Sequence, residues 1–202
     1  MRCRRPAAGV RRQRRTFHPR RASPRVPHPE VRTRPSRGKH NTLWYVYHDV
    51  GFLRVFWNTL WILLARWSPS QRLKRALYWL TGAKVGRHVS FGFEATLDIL
   101  YPQDITIEDD VIVGYDTTIL CHGYMRNESQ RGKVRVCRDA SIGAHCLILP
   151  GVTIGEGAVV GAMSLVNRDV PPGEFWAGVP ARRIRGVVGG ASADGEEREN
   201  EE

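Results

Sequence analysis

The chain has 202 residues, 42% of them hydrophobic, and a formal net charge of +11. It is long enough for one domain with extensions. The charge is local, which excludes a uniformly basic domain: residues 1–40 hold thirteen Arg and one Lys against the single acid Glu30, so residues 41–202 sum to −2.

Residues 1–40 are rich in Arg and Pro and almost free of large aliphatics. Such a segment cannot bury enough apolar surface to offset the entropy of ordering, and it is expected to be disordered. An Arg-rich arm has the chemistry to bind an anionic membrane or a nucleic acid. Arg14-Arg15-Thr16-Phe17 faintly resembles a twin-arginine signal, yet prolines follow it where an apolar region is needed. The preferred expectation is that this leader has no specific role; a later start, at Val31 or Leu43 for instance, fits the same picture. Nucleic acid is not an expected partner. Cys3, Cys121, Cys137 and Cys146 form no C-x-x-C pair, which points to a reducing, cytoplasmic compartment without a disulfide framework.

Residues 41–82 read as helical. Residues 43–67 are the most apolar stretch and approach the length of a membrane span, but Asp49, Arg54 and Asn58 interrupt it. Apolar residues nearly encircle the helix, which predicts burial on more than one side. A surface helix is expected, lying on the domain's flank or at a membrane interface, where Trp44, Trp57, Trp61 and Trp67 are at home. A second helix is predicted from a Ser68 cap, with Pro69 at its first position and Gln71 closing a capping box, to about Leu80 and a stop at Gly82. Leu73, Leu77 and Leu80 form its expected apolar stripe, and Lys74 and Arg75 its solvated face.

From Val85 the chain begins to repeat in sixes, and residues 136–171 divide cleanly: VCRDAS IGAHCL ILPGVT IGEGAV VGAMSL VNRDVP. Each block opens on a β-branched aliphatic (Val136, Ile142, Ile148, Ile154, Val160, Val166), and its fifth residue is small or β-branched. A period of six fits neither a helix nor an alternating strand. It fits a chain that turns a corner every six residues, each coil burying its aliphatics by stacking on the next. The register slips near Tyr101–Asp104 and breaks after Cys121. Residues 122–133 put polar groups where the core needs aliphatics, so they are expected to leave the prism as a loop, the usual carrier of chemistry. His88 is expected at an outward corner, His145, fourth in its six, is expected to be structural, and Asp109 and Asp110 are expected to shape a corner.

The repeat closely resembles that of the hexapeptide-repeat, left-handed β-helix acyltransferases, over about Val85 to Arg185. The approach LKRALYWLTGAKVG resembles the one in their sugar O-acetyltransferases, of the maltose, galactoside and colanic-acid type. The resemblance implies a mainly β fold: a left-handed parallel β-helix over residues 83–187, N-terminal helices before it, and a disordered acidic tail over residues 188–202. TTILCHGYM resembles the family's TTIL-x-H signature, which implies that His122 is the catalytic base. Asp98, one coil earlier, is the candidate to orient its imidazole, at a place where the family contacts the acceptor; Glu94, Asp116 and Glu128 are its rivals, and Glu94 and Asp116 stand with it as acceptor-binding candidates.

For the donor, acetyl-CoA, the resemblance implies the backbones of Ala144 and Ala162 along the pantetheine arm. It implies Asn167 and Arg168 at a polar pair where relatives often carry Thr-Lys, and Arg182 and Arg185 of the AGVPARRIR motif at the phosphates. The same arginines also suit a plain cap on the last coil. The family's assembly implies a homotrimer with sites between subunits. Carbonic anhydrases of this fold bind zinc through three histidines, but no His stands near His122, so no metal is expected. The expected function is acetyl-CoA-dependent O-acetylation of a sugar or sugar-containing acceptor. N-acylation of an amino sugar is the near alternative. A non-catalytic scaffold tethered to membrane or nucleic acid is the distant one.

Overall fold

The computed structural model describes residues 30–186; the expected disordered segments fall largely on residues 1–29 and 187–202, which lie outside the described residues. The leader boundary at residue 40 needs correction. Arg32–Pro35 form a strand, β1. It pairs antiparallel with residues 128–131 of the excursion after Cys121. Composition hid this strand because what holds it is main-chain pairing to an open edge rather than buried apolar surface.

A 3-10 turn at Thr42–Tyr45 leads into a short helix α1 (Val46–Val50), and α2 (Phe52–Trp67) follows. Gly51, at φ 83, breaks the apolar stretch into these two pieces. Only Asn58, Ile62 and Ala65 of α2 are buried. The expected burial on more than one side is therefore not found among the described residues: Leu53, Phe56 and Trp67 are 80%, 62% and 59% exposed. The helix rests on the prism along one line, with Asn58 Nδ2 donating to Ile99 O at 2.9 Å. No helix among the described residues is long and apolar enough to cross a membrane.

Helix α3 (Gln71–Leu80) starts two residues later than predicted. Ser70 caps it by accepting from Leu73 N. Ser68 instead ends α2 in the extended backbone that a following proline imposes. Gln71 closes no capping box: its amide donates to Phe91 O and accepts from Phe91 N, tying the helix to the first coil. Lys74 does not lie on a solvated face. It is 1% exposed, on the buried face with Leu77 and Tyr78, whereas Leu73 and Leu80 are largely exposed. Its ammonium donates to Gly92 O at 2.7 Å and approaches Phe91 O at 3.5 Å. Carbonyls at a coil corner thus turn a lysine inward and rotate the whole helix.

The coils follow. The first holds β2 (Lys84–Val85), β3 (Ser90–Phe91) and β4 (Thr96–Leu97). The second holds β5 (Ile105–Ile107), β6 (Ile112–Val113) and β7 (Thr118–Ile119). The slip between them is a 3-10 turn at Pro102–Asp104. The excursion is a hairpin, β8 (His122–Tyr124) and β9 (Glu128–Arg131), which β1 extends to three strands. Next come β10 (Val134–Val136), β11 (Ser141–Ile142) and β12 (Leu147–Ile148), then β13 (Thr153–Ile154), β14 (Val159–Val160) and β15 (Leu165–Val166). The antiparallel pair β16 (Glu174–Gly178) and β17 (Ala181–Gly186) closes the end.

Three parallel sheets form the faces of the prism, and the register sets equivalent repeat positions on one another. Val85, Ile107, Val136 and Ile154 stack on one face. Phe91, Val113, Ile142 and Val160 stack on the second; Leu97, Ile119, Ile148 and Val166 on the third. Each fully buried aliphatic contributes about 1.5–3 kcal/mol. Corners are left-handed: His88, Asp110 and Asp139 have φ 55–58°, and Glu94, Asp116, His145 and Met163 have φ 47–63°. Side chains of these corner residues point outward, as expected for His88; His145 faces Asp116, and Asp109 Oδ1 accepts from Arg87 N in the turn beside Asp110.

Candidate active site

His122 stands where the chain leaves the prism. The residue before it, Cys121, is buried in the core, and β8 carries the chain outward. One coil below, Asp98 follows β4 and is 1% exposed. Its Oδ1 accepts from Leu100 N (2.8 Å) and Tyr101 N (3.0 Å). Its Oδ2 accepts from Cys121 N (2.6 Å) and faces His122 Nδ1 at 2.6 Å. Burial alone would raise the Asp98 carboxyl. The hydrogen bond and charge of His122, with the Cys121 and Tyr101 amides, outweigh it and hold the group below its usual range. An ionised carboxylate only accepts, so Nδ1 is the nitrogen that carries a proton towards Asp98, and in the neutral form of the ring the lone pair is on Nε2. That is the geometry of an oriented general base.

Two tyrosines wall the imidazole. The Tyr101 and Tyr124 rings lie 6.1 and 5.3 Å from that of His122, and their hydroxyls are 3.2 Å apart. Burial, then the bond to Tyr101, pushes the Tyr124 phenol up, so it stays neutral. Arg131 covers the Tyr101 ring at 4.0 Å and grips Asp104 with two hydrogen bonds (2.5 and 3.1 Å). Sequence reasoning singled out none of these neighbours. The slip at Tyr101–Asp104 was the available signal, since a coil lengthened beside Asp98 brings extra side chains to His122. The Cys121 thiol is pushed far up by burial and by the Asp98 charge, so it is no nucleophile.

The other carboxylate candidates gather elsewhere. Glu94 and Asp116 sit on successive corners and share Arg66 of α2 at 3.8 Å each; Asp116 also faces His145 at 3.3 Å. Glu128 opens β9, opposite Pro35. Asp98 is the candidate whose carboxylate meets His122. Among the described residues no three His, Cys, Asp or Glu side chains group as a metal site.

The donor candidates lie on the later coils. Ala144 and Ala162 stack on adjacent coils, with Met163 N donating to Ala144 O at 2.9 Å. Gly143 makes this approach feasible: a Cβ there would lie 2.5 Å from Ala162 N. Asn167 and Arg168 are exposed after β15. On β17, Arg183 pairs with Glu174 at 2.9 Å. Arg182 and Arg185 are exposed and have no ion-pair partner among the described residues, Arg185 lying 5.9 Å over the Phe175 ring.

Comparison with known proteins agrees with this architecture. The bacterial transferase hexapeptide family (six repeats) matches residues 133–168. The Bacillus subtilis protein named "Putative acetyltransferase YvoF" is 45% identical over 145 residues, covering 71% of this chain and 84% of that one. The galactoside O-acetyltransferase of Escherichia coli is 32% identical over 120 residues, 55% of this chain and 58% of that one. Among solved structures, a galactoside acetyltransferase in complex with coenzyme A superimposes with a TM-score of 0.52 at 25% identity, covering 67% of this chain and 82% of that one.

Proposed function

Because the chain belongs to the hexapeptide-repeat acetyltransferases, we propose that it moves the acetyl group of acetyl-CoA to a hydroxyl of a sugar or sugar-containing acceptor, with His122 as base. The observation that carries this is the 2.6 Å contact between His122 Nδ1 and the buried Asp98 carboxylate. Nε2 takes the proton of the acceptor hydroxyl as its oxygen attacks the thioester carbonyl. The C–O bond forms, the C–S bond breaks, and the proton passes to the departing thiolate of CoA. Asp98 stabilises the imidazolium formed on the way. Cys121, beside His122, is buried and its thiol is pushed up, which favours direct attack over an acetyl-Cys121 intermediate. The sugar acceptor draws support from the relative named galactoside O-acetyltransferase.

Ala144 and Ala162 would border the pantetheine arm by their backbones, Asn167 and Arg168 would lie further along it, and the exposed Arg182 and Arg185 would meet the phosphates as bidentate donors. Glu94 and Asp116, held by Arg66, would reach the acceptor from an adjoining corner. The protein would assemble as a homotrimer with each site between two prisms. The exposed apolar side of α2 supports peripheral contact with a membrane. Transfer from labelled acetyl-CoA to a sugar panel tests the reaction: His122→Ala should lower the rate about 10²–10⁴-fold with CoA binding retained. Equal rates would refute His122 as base, and a fully active monomer by light scattering would refute the trimer.

A further inference from the structure

The three-stranded sheet of β1, β9 and β8 lies outside the prism, and its register places residues in rows. His122 is opposite Arg131, and Arg131 is opposite Arg32; Tyr124 is opposite Ser129, and Ser129 is opposite Arg34. Residues opposite one another across strands share a face, as do residues two apart along a strand. One face therefore carries the candidate base and, two strand spacings or about 10 Å away, the arginines of β1. Against this face lies a cavity of about 560 Å³, lined by Tyr101, Tyr124 and Arg131 from the His122 side and by Arg32, Arg34 and Lys133 from the far side.

Charge decides what it suits. Three carboxylates also line it: Glu30, Asp49 and Asp104. Asp104 is held by Arg131 and Asp49 by Arg37 at 3.0 Å. Arg32, Arg34 and Lys133 have no ion-pair partner among the described residues, which leaves three cations against Glu30. Two guanidiniums on one side of a strand form a fork for a phosphate. The tyrosines beside His122 suit a sugar ring.

We propose that the acceptor is a phosphorylated sugar, its phosphate held by Arg32, Arg34 and Lys133 while one of its hydroxyls meets His122. This rests on the O-acetyltransferase reading above and narrows it to an anionic acceptor, with β1 as the element that selects it. A sugar 1-phosphate in solution and a sugar linked through phosphate to a membrane lipid carry the same chemistry.

The test pairs neutral hexoses and N-acetylhexosamines with their 1-phosphates and reads CoA release by the full chain, with a polyprenyl-phosphate-linked hexose in vesicles as a further arm. In the turned-over pair the phosphorylated member is expected to have the higher kcat/KM. Arg32→Ala/Arg34→Ala should lower kcat/KM for it about 10–100-fold more than for the neutral member. Arg32→Lys/Arg34→Lys should restore part of the preference, which separates loss of charge from loss of fold. Turnover of the soluble phosphates places the acceptor in solution, and turnover of the vesicle substrate alone places it at a membrane; both uphold the anionic class. Equal use of both members, or an equal fall for both in the double Ala variant, overturns the proposal. If no acceptor turns over, calorimetric titration of the 1-phosphates decides. Binding that survives His122→Ala and is lost in the double variant upholds the anion site while the O-acetylation reading fails. No binding to the wild type refutes the site itself.

Discussion

His122 Nδ1 and Asp98 Oδ2 lie 2.6 Å apart across two successive coils, and the same carboxylate oxygen accepts from the amide of Cys121, the residue before His122. One buried group thus fixes both the ring and the backbone that carries it. Asp98→Asn keeps the size but replaces the charge. An Asn whose oxygen still accepts from Cys121 N points its NH₂ at the Leu100 and Tyr101 amides, which lose their acceptor, and the imidazole loses an anionic partner for its protonated form. We expect kcat to fall about 10²-fold or more, with the affinity for acetyl-CoA unchanged. An unchanged kcat in steady-state assays would show that the carboxylate does not act through His122.

The same carboxyl sets an acid limit. Its folded-state pKa is depressed below the unfolded value. Its contribution to stability is therefore fully present above the unfolded pKa and is lost as pH falls through the folded one. The gap in Tm between wild type and Asp98→Asn should persist from neutral pH into mild acid and narrow only as pH falls through the ordinary carboxylate range and below it. Thermal melts along that series check it, and a gap closing near neutrality would contradict the assignment.

The prism was legible in the sequence because its inward positions follow one rule: a β-branched or other apolar residue every six. His122 stood out because it ends that regularity within TTILCHGYM, which resembles the family signature, and Asp98 because it lies one coil earlier; the structure brings the two side chains together. Two things were hidden. Lys74 reads as a surface residue on its helix until the carbonyls of Phe91 and Gly92 are placed beneath it. The strand at Arg32–Pro35 has no hydrophobic pattern, since it pairs by main chain with a hairpin whose polar sequence reads as a loop. Polar partners distant in sequence leave no periodicity to find.

Lys74 should therefore behave as a structural residue. Lys74→Ala removes a buried stem and leaves Gly92 O without its donor, at a cost of about 2–4 kcal/mol. Lys74→Met fills the space, removes the desolvation cost of an ammonium, and should cost only about 1 kcal/mol. Urea denaturation ranks the two; near-equal losses would mean that packing contributes little.

Two glycines separate close approach from backbone freedom. A Cβ on Gly143 would lie 2.5 Å from Ala162 N on the next coil, whereas Gly157, at φ 63, has nothing within 4 Å of its would-be Cβ. Gly143→Ala forces two coils apart and should cost about 1–3 kcal/mol. Gly157→Asn meets open space in a conformation Asn accepts and should change stability by about 0.5 kcal/mol or less. Equal effects in chemical denaturation would refute the distinction.

The exposed side of α2 yields the last prediction. Leu53, Phe56, Leu60 and Leu64 are 42–80% exposed, Trp57 and Trp67 flank them, and Arg54, Arg72 and Arg75 are exposed nearby. Apolar and aromatic side chains beside cations match an interface with anionic lipid. The protein should float with vesicles containing anionic phospholipid. Phe56→Asp/Leu60→Asp should lower that binding by at least about ten-fold, because burying each side chain contributes about 1.5–3 kcal/mol. The buried line of Asn58, Ile62 and Ala65 is untouched, so the fold should persist by circular dichroism. If wild type and variant float equally, or if neither floats, the membrane reading fails. If the variant instead changes the mass measured by light scattering, this face is a contact between subunits.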